Sequence, residues 1–135
     1  MADLSITAAN VERTTGEIKK ATAGATITAG QVLYKDTSDS NKFKLADVTT
    51  SSATATVAGV ALNNAAASQP VNYMDAGTLD LGATLTVGST YVLSASGAIA
   101  PIGDLASSDY VSYIGYATAA DSMTLMVEST GVTVP

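Results

Sequence analysis

The chain has no histidine, no cysteine and no tryptophan, and only one phenylalanine. Without histidine and cysteine it lacks the commonest general base, the thiolate nucleophile and the ligands of most transition-metal sites. Serine is plentiful, but only lysine or a carboxylate is left to activate it. The missing cysteine also excludes disulfides and leaves the redox compartment open. Asp75, Asp80, Asp104, Asp109 and Asp121 are scattered, and the chain has few aromatic residues for sugar stacking. They do not read as the carboxylate pair of a glycoside hydrolase. The oxygen-rich run Asp36-Thr37-Ser38-Asp39-Ser40-Asn41 lacks the glycine and the distant glutamate of an EF-hand loop, and reads as a plain turn. The expectation is a protein that is not an enzyme, with no cofactor and no metal.

Other features are missing too. No run approaches the roughly 20 apolar residues of a membrane helix, so no membrane partner is expected. Met1-Ala2-Asp3-Leu4-Ser5 has no basic start leading into an apolar stretch, so no secretory signal is expected and the chain is read as made in the cytoplasm. Basic residues are absent beyond position 44. Arg13, Lys19, Lys20, Lys35, Lys42 and Lys44 share the first third with five acids, while the rest of the chain carries seven acids and no base. An acidic body repels phosphates, which argues against direct nucleic-acid binding. The plainer expectation is a solvated acidic surface; the alternative is an N-terminal part that faces a partner and a body that faces solvent.

What is present is alanine, threonine and aliphatic residues in quantity, a composition suited to thin, closely packed sheets. At 135 residues the chain fits one domain with a real core. It also repeats itself. Gly24-Ala25-Thr26-Ile27-Thr28-Ala29-Gly30 recurs as Gly82-Ala83-Thr84-Leu85-Thr86-Val87-Gly88. Gln31-Val32-Leu33-Tyr34 then matches Ser89-Thr90-Tyr91-Val92-Leu93, and Lys42 to Asp47 matches Ala98 to Ile102. Val57-Ala58-Gly59-Val60-Ala61-Leu62 matches Tyr113-Ile114-Gly115-Tyr116-Ala117-Thr118. Last, Val71-Asn72-Tyr73-Met74 before Gly77 is aligned with Leu125-Met126-Val127-Glu128 before Gly131. Two-residue alternation in Thr26-Ile27-Thr28, Lys42-Phe43-Lys44-Leu45, Thr78-Leu79-Asp80-Leu81 and Ser122-Met123-Thr124-Leu125 predicts half-buried strands. Helix is limited to single turns at Ala65–Ala67 and Leu105–Asp109.

The expected fold is all-β, a small sandwich or barrel made of two diverged strand repeats, residues 24–81 and 82–135, within one domain spanning 23–135. Gly30 and Gly88 are predicted to turn the chain with positive φ, and Gly59 and Gly115 to mark a bulge or close backbone approach inside strands. Residues 1–22 lie outside the duplication and read as an extended N-terminal arm. Its Leu4, Ile6, Val11, Arg13, Ile18, Lys19 and Lys20 are the candidate partner-binding residues. An arm of this kind adds a strand to a neighbour's sheet edge; the alternative is a first strand packed on its own domain.

Four segments then carry a resemblance. They are Val32-Leu33-Tyr34-Lys35-Asp36-Thr37-Ser38, Lys42-Phe43-Lys44-Leu45-Ala46, Val57-Ala58-Gly59-Val60-Ala61-Leu62, and Val71-Asn72-Tyr73-Met74-Asp75-Ala76-Gly77-Thr78. In this order, and over residues 23–135, the chain resembles the lambda-type head decoration (capsid cement) proteins of tailed bacteriophages. The resemblance implies a β-tulip-like fold and a homotrimer on the outer face of the capsid. It also implies an arm ordered on the major capsid protein, and hence a place on the virion exterior. The second copy, Gly82 to Pro135, is a departure from the shorter members. The competing expectation is a phage tail or surface β-domain that binds a host receptor or glycan, for which Tyr91, Tyr113 and Tyr116 are the candidate aromatic cluster. Packing in a core or between subunits is the plainer role for those tyrosines.

Overall fold

A computed structural model describes residues 3–135. Eleven strands follow one another: β1 (Glu12–Thr15), β2 (Lys19–Thr22), β3 (Val32–Asp36), β4 (Lys42–Leu45), β5 (Gly59–Ala61), β6 (Pro70–Met74), β7 (Ala76–Asp80), β8 (Thr90–Leu93), β9 (Ile99–Pro101), β10 (Tyr110–Ala117) and β11 (Ser122–Thr133). The two short 3₁₀ turns fall at Ala8–Asn10 and Ile102–Asp104, not at the predicted positions. Ala65 instead makes an antiparallel bridge with Ile27, which leaves its backbone no helical partner.

The strands form two antiparallel sheets, ordered β2-β6-β5-β3-β4 and β1-β7-β11-β10-β8-β9. Neither closes into a barrel, so of the two expected architectures the fold is the sandwich. The duplication is written into this order: β2 to β6 and β7 to β11 occupy the same sequence of places. Register agrees residue by residue. Leu33 lies opposite Leu45 and Gly59, and Tyr91 lies opposite Pro101 and Gly115. Gly30 N–H donates to Ala61 O at 2.8 Å and Gly88 N–H to Ala117 O at 2.9 Å, closing equivalent turns.

Two repeat assignments shift. Each unit begins one strand earlier than its Gly-Ala-Thr motif, because β2 and β7 hold equivalent places beside β6 and β11. The final match is also out of register. Tyr73 and Met74 pair with Ala61 and Val60, and the corresponding partners of Ala117 and Tyr116 are Met123 and Thr124, not Val127 and Glu128. The connection from β10 to β11 is shorter than that from β5 to β6, so the missing residues lie before the last strand.

The N-terminal arm is extended, but it lies along its own domain, as the alternative held; Met1 and Ala2 are outside the described residues. Leu4 N–H donates to Ile99 O at 2.7 Å and Thr7 N–H to Gly82 O at 2.8 Å. In the first repeat the corresponding acceptor, Phe43 O, is taken directly by Gly24 N–H at 2.7 Å. The N-terminal segment is therefore wedged where the first repeat closes on itself. β1 then borders β7, and β2 borders β6.

Successive strand residues point to opposite faces, and the core divides accordingly. Leu33 joins Ala23, Ile27, Phe43, Ala61 and Val71 in a small cluster confined to the first repeat. Its neighbour Val32, with Val60 and Met74, enters a larger cluster shared with Leu81, Tyr91, Ile114, Ala117 and Met123 of the second repeat. The first repeat's sheet is thus buried on both faces. The second repeat's sheet is buried on one face and, at Val92 and Ala100, on part of the other.

A Cβ at Gly59 would stand 2.6 Å from Met74 O, and one at Gly115 would strike Thr124 O. Gly30 and Gly88 have φ of 91° and 84°, but only Gly30 is crowded, by Ile6 Cγ2 at 2.6 Å. In chemical denaturation, Gly59→Ala and Gly115→Ala should each lose about 1–3 kcal/mol through overpacking. Gly88→Ala should lose about 1–2 kcal/mol from backbone strain alone, and Gly30→Ala should lose more than Gly88→Ala.

Candidate functional site: edge strands and an open sheet face

The candidate partner-binding residues divide into those packed on the domain and those open to solvent. Leu4, Ile6 and Val11 pack against the large core cluster and are unavailable to a partner while the segment stays in place. Arg13, Ile18 and Lys20 are exposed. Arg13 reaches no further than Gly16 O, at 3.2 Å. Lys19 Nζ is 2.9 Å from Asp75 Oδ2; that hydrogen bond raises the lysine's pKa above its ordinary value.

β1 and β2 are each the outermost strand of a sheet. All four residues of β1 are exposed, and β2 alternates half-buried with exposed. One continuous stretch, residues 12–22, therefore borders both sheets. It presents edge backbone together with half of the basic residues of an acidic chain. The outer side of β1 is an edge of the type that templates the addition of a further strand, whereas the outer side of β2 turns toward β4, which the chain bridges at Ala23 and Phe43.

The three candidate tyrosines separate. Tyr91 is 2% exposed, and its hydroxyl accepts the Thr86 N–H at 2.9 Å, so it fastens the 82–88 turn. Tyr113 and Tyr116 lie on the open face of the second repeat's sheet. With Thr90, Gly115, Met126 and Glu128 they line a shallow groove of about 290 Å³. Met126, 61% exposed, escaped the sequence reading, although the alternation Ser122-Met123-Thr124-Leu125, carried one residue further, puts it on the outward side.

A larger groove, about 640 Å³, runs between the N-terminal segment and residues 80–84. Its lining carries Glu12, Asp80 and Asp121 with no lysine or arginine. No group of three or more metal-ligating side chains forms among the described residues, and no helix among them is long and apolar enough to cross a membrane.

The Asp36–Asn41 run is a turn, and it is clamped from within. Lys44 Nζ lies 2.8 Å from Asp36 Oδ2 and 3.0 Å from Asp39 Oδ2, and Asp36 Oδ1 also accepts the Ser38 N–H at 3.0 Å. A lysine ammonium thus takes the centre of the oxygen cluster. Lys44 first, and Ser38 after it, lower the Asp36 pKa from 3.8 to about 2. Asp36 and, less strongly, Asp39 raise that of Lys44 in return. Because the folded-state pKa of Asp36 is depressed, its contribution is complete above the unfolded value and disappears as pH falls through the folded one. Thermal midpoints measured in acid should therefore drop between about pH 4 and pH 2. Lys44→Met should flatten that part of the profile.

No protein-family model matches the chain, and no curated protein matches it.

Proposed function

We propose that this protein is a non-catalytic structural component of a virion that binds the outer face of a phage capsid and stabilises the head. The observation that carries the reading is the strip formed by β1 and β2. It offers a shell protein the outer edge of β1, Ile18 at 45% exposure and the cations Arg13 and Lys20. Cementing a shell requires contact area and a stable scaffold, and many identical weak contacts on one shell reinforce each other. The resemblance to lambda-type decoration proteins supplies the capsid as partner; the edge strip supplies a surface with which to meet it.

A second reading, a tail or surface domain that binds a receptor or glycan, draws on Tyr113 and Tyr116 beside their shallow groove. Aromatic rings half exposed on a sheet can stack on sugars, and the groove adds the hydroxyls of Thr90, Tyr113 and Tyr116 and a single carboxylate, Glu128, but it is shallow.

The test is co-sedimentation with empty heads of the cognate phage. Removing residues 1–22 is a poor variant, because it takes two strands and the Leu4 and Ile6 packing from the domain itself. The combined substitution Arg13→Glu, Ile18→Asp, Lys20→Glu alters exposed side chains only. It should leave the thermal midpoint unchanged and weaken head binding about tenfold or more. Wild-type protein that never pellets with heads would rule the capsid reading out. Binding that depends on Tyr113 and Tyr116 and is displaced by oligosaccharide would favour the second reading.

A further inference from the structure

The duplication marks one stretch of the second repeat as additional. β6 and β11 are equivalent, with Tyr73 at the place of Met123. β6 stops at Met74, and the chain crosses at Asp75 to the other sheet, where β7 begins. β11 passes the equivalent position, Thr124, and runs on to Thr133. On one side the extension pairs with β10, as far as Thr133 opposite Tyr110. On the other side β7 accompanies β11 only to Met126, opposite Ala76. From Val127 to Thr133 no described strand lies along that second side.

This stretch is a strand edge, and it lacks the protection the other edges have. Lysine, arginine and proline discourage strand addition. The four outermost strands each carry one or more of them: Arg13 in β1, Lys19 and Lys20 in β2, Lys42 and Lys44 in β4, Pro101 in β9. Residues 127–133, Val-Glu-Ser-Thr-Gly-Val-Thr, contain none. Side chains alternate regularly into the stretch. Met126 and Glu128 border the open groove, Val127 packs on the large core cluster, and Ser129 Oγ accepts the Val57 N–H at 2.9 Å. These inward contacts fix the strand on its domain, so the edge belongs to an ordered element. Beyond Ser129 the register with β10 slips around Gly131, whose φ is 70°. The firmest ladder is therefore offered by Val127 to Ser129, on either side of Glu128.

The one charge on this edge selects the kind of strand that fits it. Glu128 is exposed, lies opposite Tyr113 and makes no ion pair among the described residues. The second repeat has no base with which to neutralise it, since no lysine or arginine follows Lys44. Directly opposed residues on neighbouring strands have Cβ atoms about 4.5–5.5 Å apart, where opposite charges attract and like charges repel. Val132, 62% exposed, adds apolar surface further along.

We infer that the free edge of β11 from Val127 to Thr133 is a docking site for an extended basic segment of a partner protein. That segment joins the second repeat's sheet as a further strand, in line with β7, with a lysine or arginine opposite Glu128. Main-chain hydrogen bonds supply the attachment and the opposed charges set the register. The edge lies apart from the β1–β2 strip, and the inference does not depend on the capsid reading.

Nuclear magnetic resonance of the full chain tests this with a synthetic peptide, acetyl-Thr-Val-Thr-Lys-Thr-Val-Thr-amide, added to about 1 mM. Shifted signals and slowed amide exchange should fall on Val127 to Thr133 and spare Glu12 to Thr15. The same peptide with glutamate in place of lysine should bind about fivefold more weakly, or worse. A version N-methylated throughout, which removes the backbone donors, should not bind. Glu128→Lys, at an exposed position, should reverse the preference between the lysine and glutamate peptides with unaltered thermal unfolding. A lysine peptide that leaves Val127 to Thr133 unmoved would overturn the inference, as would shifts that fall on β1 instead. Equal binding of the N-methylated peptide would reduce the contact to charge attraction and overturn it too, and so would a preference that survives Glu128→Lys. Protection of Val127 to Thr133 that grows with the protein's own concentration, without peptide, would give the edge to a second copy and overturn it likewise. Head binding is read separately, so either reading can fail without the other.

Discussion

The contact between the two repeats is the constraint on which the rest of the structure depends. Val32, Val60 and Met74 are fully buried only because the second repeat lies over them. Each such side chain contributes about 1.5–3 kcal/mol when removed from water. Without that cover the first sheet would present an apolar face to solvent. The small cluster behind it, built around Leu33 and Phe43, is too limited to be the main core of a domain. One inter-repeat core accordingly holds two similar units as a single body, and both sheets take their positions from it.

Duplication did not produce two identical halves. In the first unit Gly24 bonds directly to Phe43 across the gap between the outer strands; in the second, Leu4 takes the acceptor at Ile99 and Thr7 takes the one at Gly82. The outward faces diverged as well, Val32, Val60 and Met74 against Thr90, Tyr116 and Thr124. The substitutions follow burial: aliphatic where a neighbour covers the sheet, hydroxyl-bearing and aromatic where none does. Tyrosine and threonine tolerate water and still offer apolar surface, a compromise suited to a face that is only partly covered.

The all-β character was legible because strand alternation is local, and the Gly30/Gly88 and Gly59/Gly115 pairs exposed the duplication before any coordinates. The last strand was misaligned because the glycine spacing after Met74 and Glu128 is coincidental; the true equivalence of Tyr73 with Met123 is visible only in the pairing to β5 and β10. The position of residues 3–22 was not legible. Isolated apolar positions such as Leu4 and Ile6 are compatible with a free arm or a docked one, and what decides is an acceptor at Ile99, far away in sequence. The same holds for the open face. Tyr91 and Tyr116 look alike in the chain, and only the fold puts one in the core and the other at the surface.

The wedge formed by residues 3–7 bears on how the molecule is made. Thr7 and Leu4 have their partners at Gly82 and Ile99, so they must wait until those later residues have been synthesised. The first repeat, which closes with its own Gly24, can begin to form earlier. Contacts this distant in sequence slow folding, because a long loop must close before they stabilise anything. Residues 3–7 are made well before their partners and are among the last to settle. During that interval the acceptors at Ile99 and Gly82 stay open to water.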